Sequence, residues 1–271
     1  MKFEQVSKFS VLISTYWKDS PEYVRQAMES LSHQTLTPNE VVLVKDGKIQ
    51  SDVDLIIAEY STRLQIKVVQ LEKNVGLAAA LNAGLLQCEN DLVARMDADD
   101  FALPSRFETQ VRFMDEHPDI DVSSSWMEER EDMSLSGRLK KLPASDGELR
   151  TFAKLRSPIN HPCAIFRRHK VVEVGLYPLI YPEDYALWSV MMLRGSKFAN
   201  IPKVLQYMRV GGDFLNRRGF TMMRGELRLI FFQRRIGFLT SIEAFRNCMF
   251  RILVRLSPLP VRRFLYRTTR V

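Results

Sequence analysis

The chain has 271 residues, 46% of them hydrophobic, enough to bury a sizeable core. Cys88, Cys163 and Cys248 form no CxxC pair and no metal-finger spacing, so they read as ordinary reduced thiols of a cytoplasmic protein. The net charge of +7 is uneven: residues 217–271 hold thirteen Arg, no Lys and two acids, a charge of +11, which leaves −4 on residues 1–216.

Residues 1–10 lack the apolar stretch of a signal peptide, and no uncharged apolar run reaches the roughly 18 residues that cross a bilayer. Phe9–Ser14 is a short run of strand formers and reads as a buried strand. Ser20-Pro21-Glu22 resembles an N-cap with Pro at the first helical position, and Tyr23, Ala27 and Leu31 carry that helix toward the break at Pro38-Asn39. Glu40–Val44 is the second strand, closing in Asp46-Gly47. A helix over 52–60, a strand over 66–69, a turn at Asn74-Val75-Gly76 and an Ala-rich helix over 77–86 follow. Leu92–Met96 is a strand running into Asp97-Ala98-Asp99-Asp100, and 104–117 is the next helix.

Strands alternating with helices imply βαβ units and a parallel sheet. Ligands of such sheets bind beyond the carboxyl ends of the strands. Thr15, Asp46, Asn74, Asp97 and Asp99 all fall at or just past such ends. After residue 118 the alternation weakens. A strand at 121–127, a polar helix at 142–153, a strand at 160–166 after a turn, a helix at 181–193 and a strand at 202–210 precede the Arg-rich tail.

Three carboxylates in Asp97–Asp100 would repel one another unless a cation or hydrogen-bond donors compensate. Such oxygen-rich sites suit Mg²⁺ or Mn²⁺, which hold phosphate oxygens. A solvated loop capping the next helix would look alike, but the placement after a parallel strand favours a site. No GxxxxGK[ST] and no GxGxxG after the first strand is present, which disfavours P-loop NTPases and dinucleotide-dependent oxidoreductases. Asp46-Gly47 reads equally as a turn or as a ligand contact, and Asn74-Val75-Gly76 reads first as a turn and second as a ligand contact. Glu183-Asp184 opens a helix, where acids suit the helix dipole and where a carboxylate is placed to act as a general base. His161, in Asn160-His161-Pro162, reads first as structural. No Gly-x-Ser-x-Gly elbow suggests a hydrolase.

FSVLISTY (9–16), SLSHQTLTP (30–38), VVLVKDG (41–47), NVGLAAALNAG (74–84), ARMDADD (94–100), HPCAIF (161–166) and EDYALW (183–188) run in one order over residues 9–210. In this the chain resembles the bacterial family 2 glycosyltransferases. Its Arg-rich end is similar to those of enzymes that build exopolysaccharide, capsule or O-antigen units, the amylovoran type among them. The resemblance implies an α/β GT-A fold: a Rossmann-like, mixed, mainly parallel sheet flanked by helices, with a basic helical tail. It implies a GT-A catalytic domain over 1–212, with a nucleotide-binding half over 1–118 and an acceptor-binding half over 119–212. The tail over 213–271 would associate with a membrane.

The resemblance also implies roles. Thr15, Tyr16 and Asp46 line the uridine pocket, with Asn74 and His161 among the donor-binding residues. Asp97 meets the ribose or the metal-bound diphosphate, Asp99 ligates a divalent metal (Mn²⁺ or Mg²⁺), and Asp184 is the base, with Glu183 beside it. The donor is a UDP-sugar and the acceptor a polyprenyl-diphosphate-linked saccharide, joined with inversion on the inner face of the cytoplasmic membrane. Lys48 stands where the family often has Ser, and Ala78–Asn82 lacks the Arg common there. The QxxRW motif of processive synthases is absent, so one sugar per encounter follows. A nucleotide-sugar-binding module without turnover and a nucleotidyltransferase are the alternatives. Phe231, Phe232, Phe245 and Phe250 form no nucleic-acid recognition motif despite the basic tail. Instead, Phe245, Met249, Ile252 and Leu256 share a helical face beside Arg251 and Arg255, which suits an anionic membrane surface.

Overall fold

The computed structural model describes residues 6–211 and 220–256. The first half alternates as expected: β1 (Phe9–Thr15), α1 (Pro21–Ser32), β2 (Glu40–Lys45), α2 (Ser51–Tyr60), β3 (Ile66–Gln70), α3 (Leu77–Leu85), β4 (Leu92–Asp97). There follow β5 (Phe101–Ala102), α4 (Arg106–Glu116), β6 (Val122–Arg130), β7 (Arg138–Lys140), α5 (Asp146–Phe152), β8 (Ile165–Arg167), α6 (Arg168–Glu173), α7 (Glu183–Leu193), β9 (Phe198–Arg209), α8 (Phe220–Arg235) and α9 (Ser241–Leu256). One sheet runs in the order β3-β2-β1-β4-β8-β6-β9-β5, with β7 paired to β6. Pairing is parallel from β1 to β4 and mixed beyond.

The sheet is covered on both faces, which explains the unbroken apolar runs of β1, β2 and β4. Alternation along each strand divides the core. Val11, Ile13, Val41, Leu43, Ala94 and Met96 pack on α1, α2 and α4. Leu12, Val42, Val44 and Val93 face α3, α7 and the inner residues of α8 and α9. Arg95 shares the parity of Val93, so its side chain belongs to this second face.

Several elements differ from the sequence reading. Residues 160–163 are not strand: His161–Cys163 is a single 3-10 turn, because Pro162 cannot donate to a ladder, and the strand begins at Ile165. The polar helix at 142–153 shortens to α5, which a Ser145–Glu148 capping box starts. β9 begins at Phe198 rather than Pro202 and runs through the proline. It does so because the register with β6 jumps from Ser125↔Ile201 to Trp126↔Val204, leaving Pro202 in a bulge. β5, β7 and α6 are too short for periodicity to reveal. Of the 213–271 tail, residues 213–219 and 257–271 lie outside the described residues. α8 and α9 lie within it, and Ile230, Phe238, Leu239 and Ala244 share a core with Trp188 and Met191 of α7.

The turn after β2 is fixed by close approach. Gly47 has φ +84, and a Cβ there would stand 2.6 Å from the Asn74 backbone N. Gly76 has φ +86 with nothing near. Gly47→Ala is therefore expected to destabilise by about 2–3 kcal/mol and Gly76→Ala by about 1 kcal/mol. Urea-unfolding midpoints check this. Equal losses at both positions would remove the backbone contact as the constraint.

Candidate active site at the carboxyl ends of β1 and β4

β1 lies between β2 and β4, so the chain leaves it toward one side and later crosses to the other. Ligand crevices in open α/β sheets form at such switch points. Ser14 is level with Asp97, which places Thr15 and the acidic loop side by side. Thr15 is buried and Tyr16 is 36% exposed. In the loop that follows, Asp19 Oδ2 accepts from the Tyr16 N–H at 2.9 Å. Burial pushes the Asp19 carboxyl up to about 6; hydrogen bonds from Tyr16 and Thr15 oppose this, and the Asp97 charge adds to it.

Carboxylate oxygens of Asp97, Asp99 and Asp100 lie within 4.8 Å of one another. They are not equivalent. Asp100 is wholly buried and accepts from Gln206 Nε2 at 2.7 Å and from the Arg209 N–H at 2.9 Å. Burial, then Asp97 and Asp99, raise its pKa well above the usual range. Arg209 also donates to the Asp99 carbonyl at 3.1 Å and stacks over Tyr23 at 3.7 Å. Asp97 and Asp99 remain half-buried and open to a ligand. Burial, reinforced by the charges of Asp97 and Asp19, pushes Asp99 up to about 6. A hard divalent cation fits this all-oxygen, negatively overcrowded pair, because it would offset the burial and the repulsion that raise Asp99.

Beneath the loop lies a buried cation. Arg95 is 2% exposed and its guanidinium pairs with Asp97. Burial disfavours its charge, but Asp97, Tyr177 and Asp100 outweigh burial and raise its pKa. A second buried arginine, Arg106, donates to the Arg95 carbonyl and to Gln206 Oε1, and at 2.9 Å to Gln110 Oε1. Arg106, Gln206 and Asp100 thus form one chain of bonds from α4 through β9 to the acidic loop.

Asp46 is buried, and its two oxygens accept from the Val75 N–H at 2.7 Å and the Gly76 N–H at 3.0 Å. Asn74 Nδ2 returns a bond to the Asp46 carbonyl at 3.3 Å. Asp46 and Asn74 therefore clasp the ends of β2 and β3 together, and each Asp46 oxygen keeps one further lone pair.

Glu183 and Asp184 open α7. Glu183 is buried, and burial followed by the Asp184 charge pushes it up to about 7. Burial also raises Asp184, while the Tyr185 N–H and Ser157 Oγ, at 3.2 Å from Asp184 Oδ2, hold it down. Arg95 acts on both acids and Asp97 acts on Glu183. The two acidic groups therefore lie within the electrostatic reach of one guanidinium. His161 is buried, with Nε2 3.1 Å from the Tyr177 hydroxyl and its ring edge-on to Trp188. Burial, then Arg95, drives its pKa well down, so it is neutral.

Sequence reasoning passed over Asp19, Arg95, Ser157, Gln206 and Arg209. Only Arg95 left a trace: a charged residue inside LVARMD, an otherwise apolar strand, has to be paired. A concavity of about 740 Å³ at the opposite, amino ends of β1–β3, lined by Asn39, Glu40 and Gln65 among others, is remote from these acids.

Residues 10–175 match glycosyl transferase family 2. The chain is 40% identical to the amylovoran biosynthesis glycosyltransferase AmsE of Erwinia amylovora, over 97% of this chain and 99% of that one. It is 38% identical to the UDP-Gal:alpha-D-GlcNAc-diphosphoundecaprenol beta-1,3-galactosyltransferase of Escherichia coli, over 97% of each. Among solved structures, S. aureus TarS 1–349 superposes with a TM-score of 0.67 at 23% identity, covering 90% of this chain and 71% of that one, a likeness of fold. The architecture is the GT-A fold that the resemblance implies. On the family match and on relatives aligned along nearly the whole length, the chain belongs to the family 2 glycosyltransferases.

Proposed function

We propose that the chain transfers one sugar per encounter from a UDP-sugar to a polyprenyl-diphosphate-linked saccharide, inverting the anomeric carbon, in bacterial exopolysaccharide, capsule or O-antigen assembly. One observation carries this reading: an open carboxylate pair, Asp97 and Asp99, beside the buried Arg95, and a buried carboxyl pair, Glu183 and Asp184, feel the charge of the same guanidinium. The first is the equipment for a diphosphate and the second for a proton. The donor and acceptor classes are supported by the E. coli relative, whose name gives a UDP-Gal donor and a diphosphoundecaprenol-linked acceptor. A module that only binds nucleotide sugars has no use for a buried base, which argues against that alternative.

Asp97 and Asp99 would hold Mg²⁺ or Mn²⁺. When bound, the ion supplies Lewis-acid neutralisation of the diphosphate leaving group. Thr15, Tyr16, Asp46 and Asn74 would border the nucleoside. Asp184 accepts the proton of the attacking acceptor hydroxyl: burial strengthens its hold on a proton, and Ser157 aims it. Attack opposite the leaving diphosphate gives a β-linked product from an α-linked donor. Residues 1–118 serve the donor and 119–212 the acceptor. The +11 charge of residues 217–271 would hold the protein on the anionic inner leaflet.

Asp99→Asn removes one carboxylate charge with little change in volume. UDP release is expected to fall roughly a thousandfold and Mn²⁺ binding, followed by calorimetry, to weaken. Unchanged turnover in excess chelator would contradict the reading. Asp184→Asn should abolish transfer while retaining donor binding. Ser157→Ala is the finer probe. The Ser157 hydroxyl bonds the charged form of Asp184 and lowers its pKa, so its loss raises that pKa. The acid limb of the kcat/KM profile should then move to higher pH, because the base stays protonated over a wider range. An unmoved limb, with wild-type kcat, would remove Asp184 as the base and bring Glu183 forward.

A further inference from the structure

α8 and α9 dock firmly by one side. Leu229, Ile230, Phe238 and Leu239 are buried. Gln233 Nε2 donates to Ser189 Oγ of α7 at 2.8 Å, and Asn247 Nδ2 to the Lys154 carbonyl at 2.7 Å. Arg251 pairs with Glu226 at 3.3 Å and donates to the Leu155 carbonyl at 3.2 Å. A helix so docked should present polar residues outward. These helices do not. On α9, Ile242 is 81%, Phe245 70% and Met249 42% exposed, and their spacing makes them one stripe. On α8, Phe231 is 65% exposed, in a stripe with the exposed Arg224, Arg228 and Arg235. Arg246 is exposed beside Phe245.

The acids of both helices are turned to other tasks. Glu226 is buried against Arg251. Glu243 accepts from the Thr240 N–H at 2.7 Å while its own N–H donates to Thr240 Oγ1 at 3.2 Å, a cap for α9. The exposed sides of α8 and α9 therefore offer large apolar groups interspersed with guanidinium ions, and of the two acids among the described residues of these helices Glu226 is buried and Glu243 is held in the cap. Two copies of such a face would repel one another across an isologous interface. A leaflet with anionic phosphates over acyl chains meets both components.

We propose that this face is the membrane-inserted element. Ile242, Phe245, Met249 and Phe231 enter the headgroup–acyl boundary, and Arg228, Arg235 and Arg246 meet lipid phosphates. The inference rests on the lipid-linked acceptor of the preceding section and names the surface that meets its membrane. The same helices reach toward the base. α9 holds the carbonyls of Lys154 and Leu155, just before Ser157, and Gly225 of α8 packs so closely on Tyr181 that a Cβ would fall 2.7 Å from its ring. The segment that carries Ser157 is thus anchored directly on the inserted helices.

Cutting the chain near residue 212 would strip α7 of its cover, so the test uses full-length protein. Wild type, Ile242→Ser/Phe245→Ser/Met249→Ser and Arg228→Gln/Arg235→Gln/Arg246→Gln are compared by co-sedimentation with vesicles of phosphatidylcholine, alone or mixed with phosphatidylglycerol. Wild type should prefer the anionic vesicles. The apolar variant should bind them about tenfold or more weakly at low and high salt. The arginine variant should lose about a hundredfold at low salt only. Both should melt as wild type does and release UDP normally with a water-soluble short-chain sugar-diphosphate acceptor. Vesicle binding by the apolar variant equal to that of wild type would overturn the proposal. So would a wild-type dimer that the apolar variant splits, which would assign the face to a second copy. Failure of the transfer reading would show separately, as no UDP release by wild type with any donor.

Discussion

A guanidinium buried in the middle of a strand is the constraint around which the rest is arranged. Arg95 could not stay charged inside the sheet without carboxylates beside it, and carboxylates gathered at the end of β4 could not stay together without a cation. Each offsets the penalty of the other. Asp97 is the direct partner. Asp100 is taken up by Gln206 and Arg209, while burial, with the charges of Asp97 and Asp19, pushes the Asp99 carboxyl up to about 6. A site prepared in this way gains from a further cation on its open side.

The same arrangement joins the two halves of the sheet. The acidic loop follows β4, but what fixes it comes from β9, through Gln206 and Arg209, and from α4, through Arg106. From the second half of the chain, α7 brings Glu183 and Asp184 into the field of the same Arg95. Burial raises the carboxyl pKa at both places, and each place turns this to a different use. Near Asp99 it makes the carboxylate eager for a metal. At Asp184 it makes the carboxylate eager for a proton, which a general base needs.

The first half of the fold was legible in the sequence because β1 to α4 obey simple periods, and the carboxyl ends of their strands pointed to Thr15, Asp46, Asn74, Asp97 and Asp99. Beyond residue 118 the strands are short, Pro202 sits in a bulge, and Asn160–Cys163 forms a turn where its residues suggested a strand. Local pattern carries no record of such tertiary choices. Residues acting through others, such as Ser157 and Gln206, are ordinary polar residues until their partners are known. The tail shows the same limit. Periodicity grouped Phe245, Met249, Ile252 and Leu256, yet a stripe does not say which side docks. Phe245 and Met249 face outward with Ile242, Ile252 is half-buried, and the Leu256 side chain lies outside the described residues.

The account stands or falls on a single displacement at the anomeric carbon with Asp184 as base. The most direct measurement is the anomeric configuration of the product, read from the ¹H–¹H coupling of the new linkage by NMR after reaction of an α-configured UDP-sugar with a sugar-diphosphate lipid acceptor. A β-linked product is predicted. An α-linked product would contradict the account, since a single attack on the face opposite the leaving diphosphate must invert the anomeric carbon.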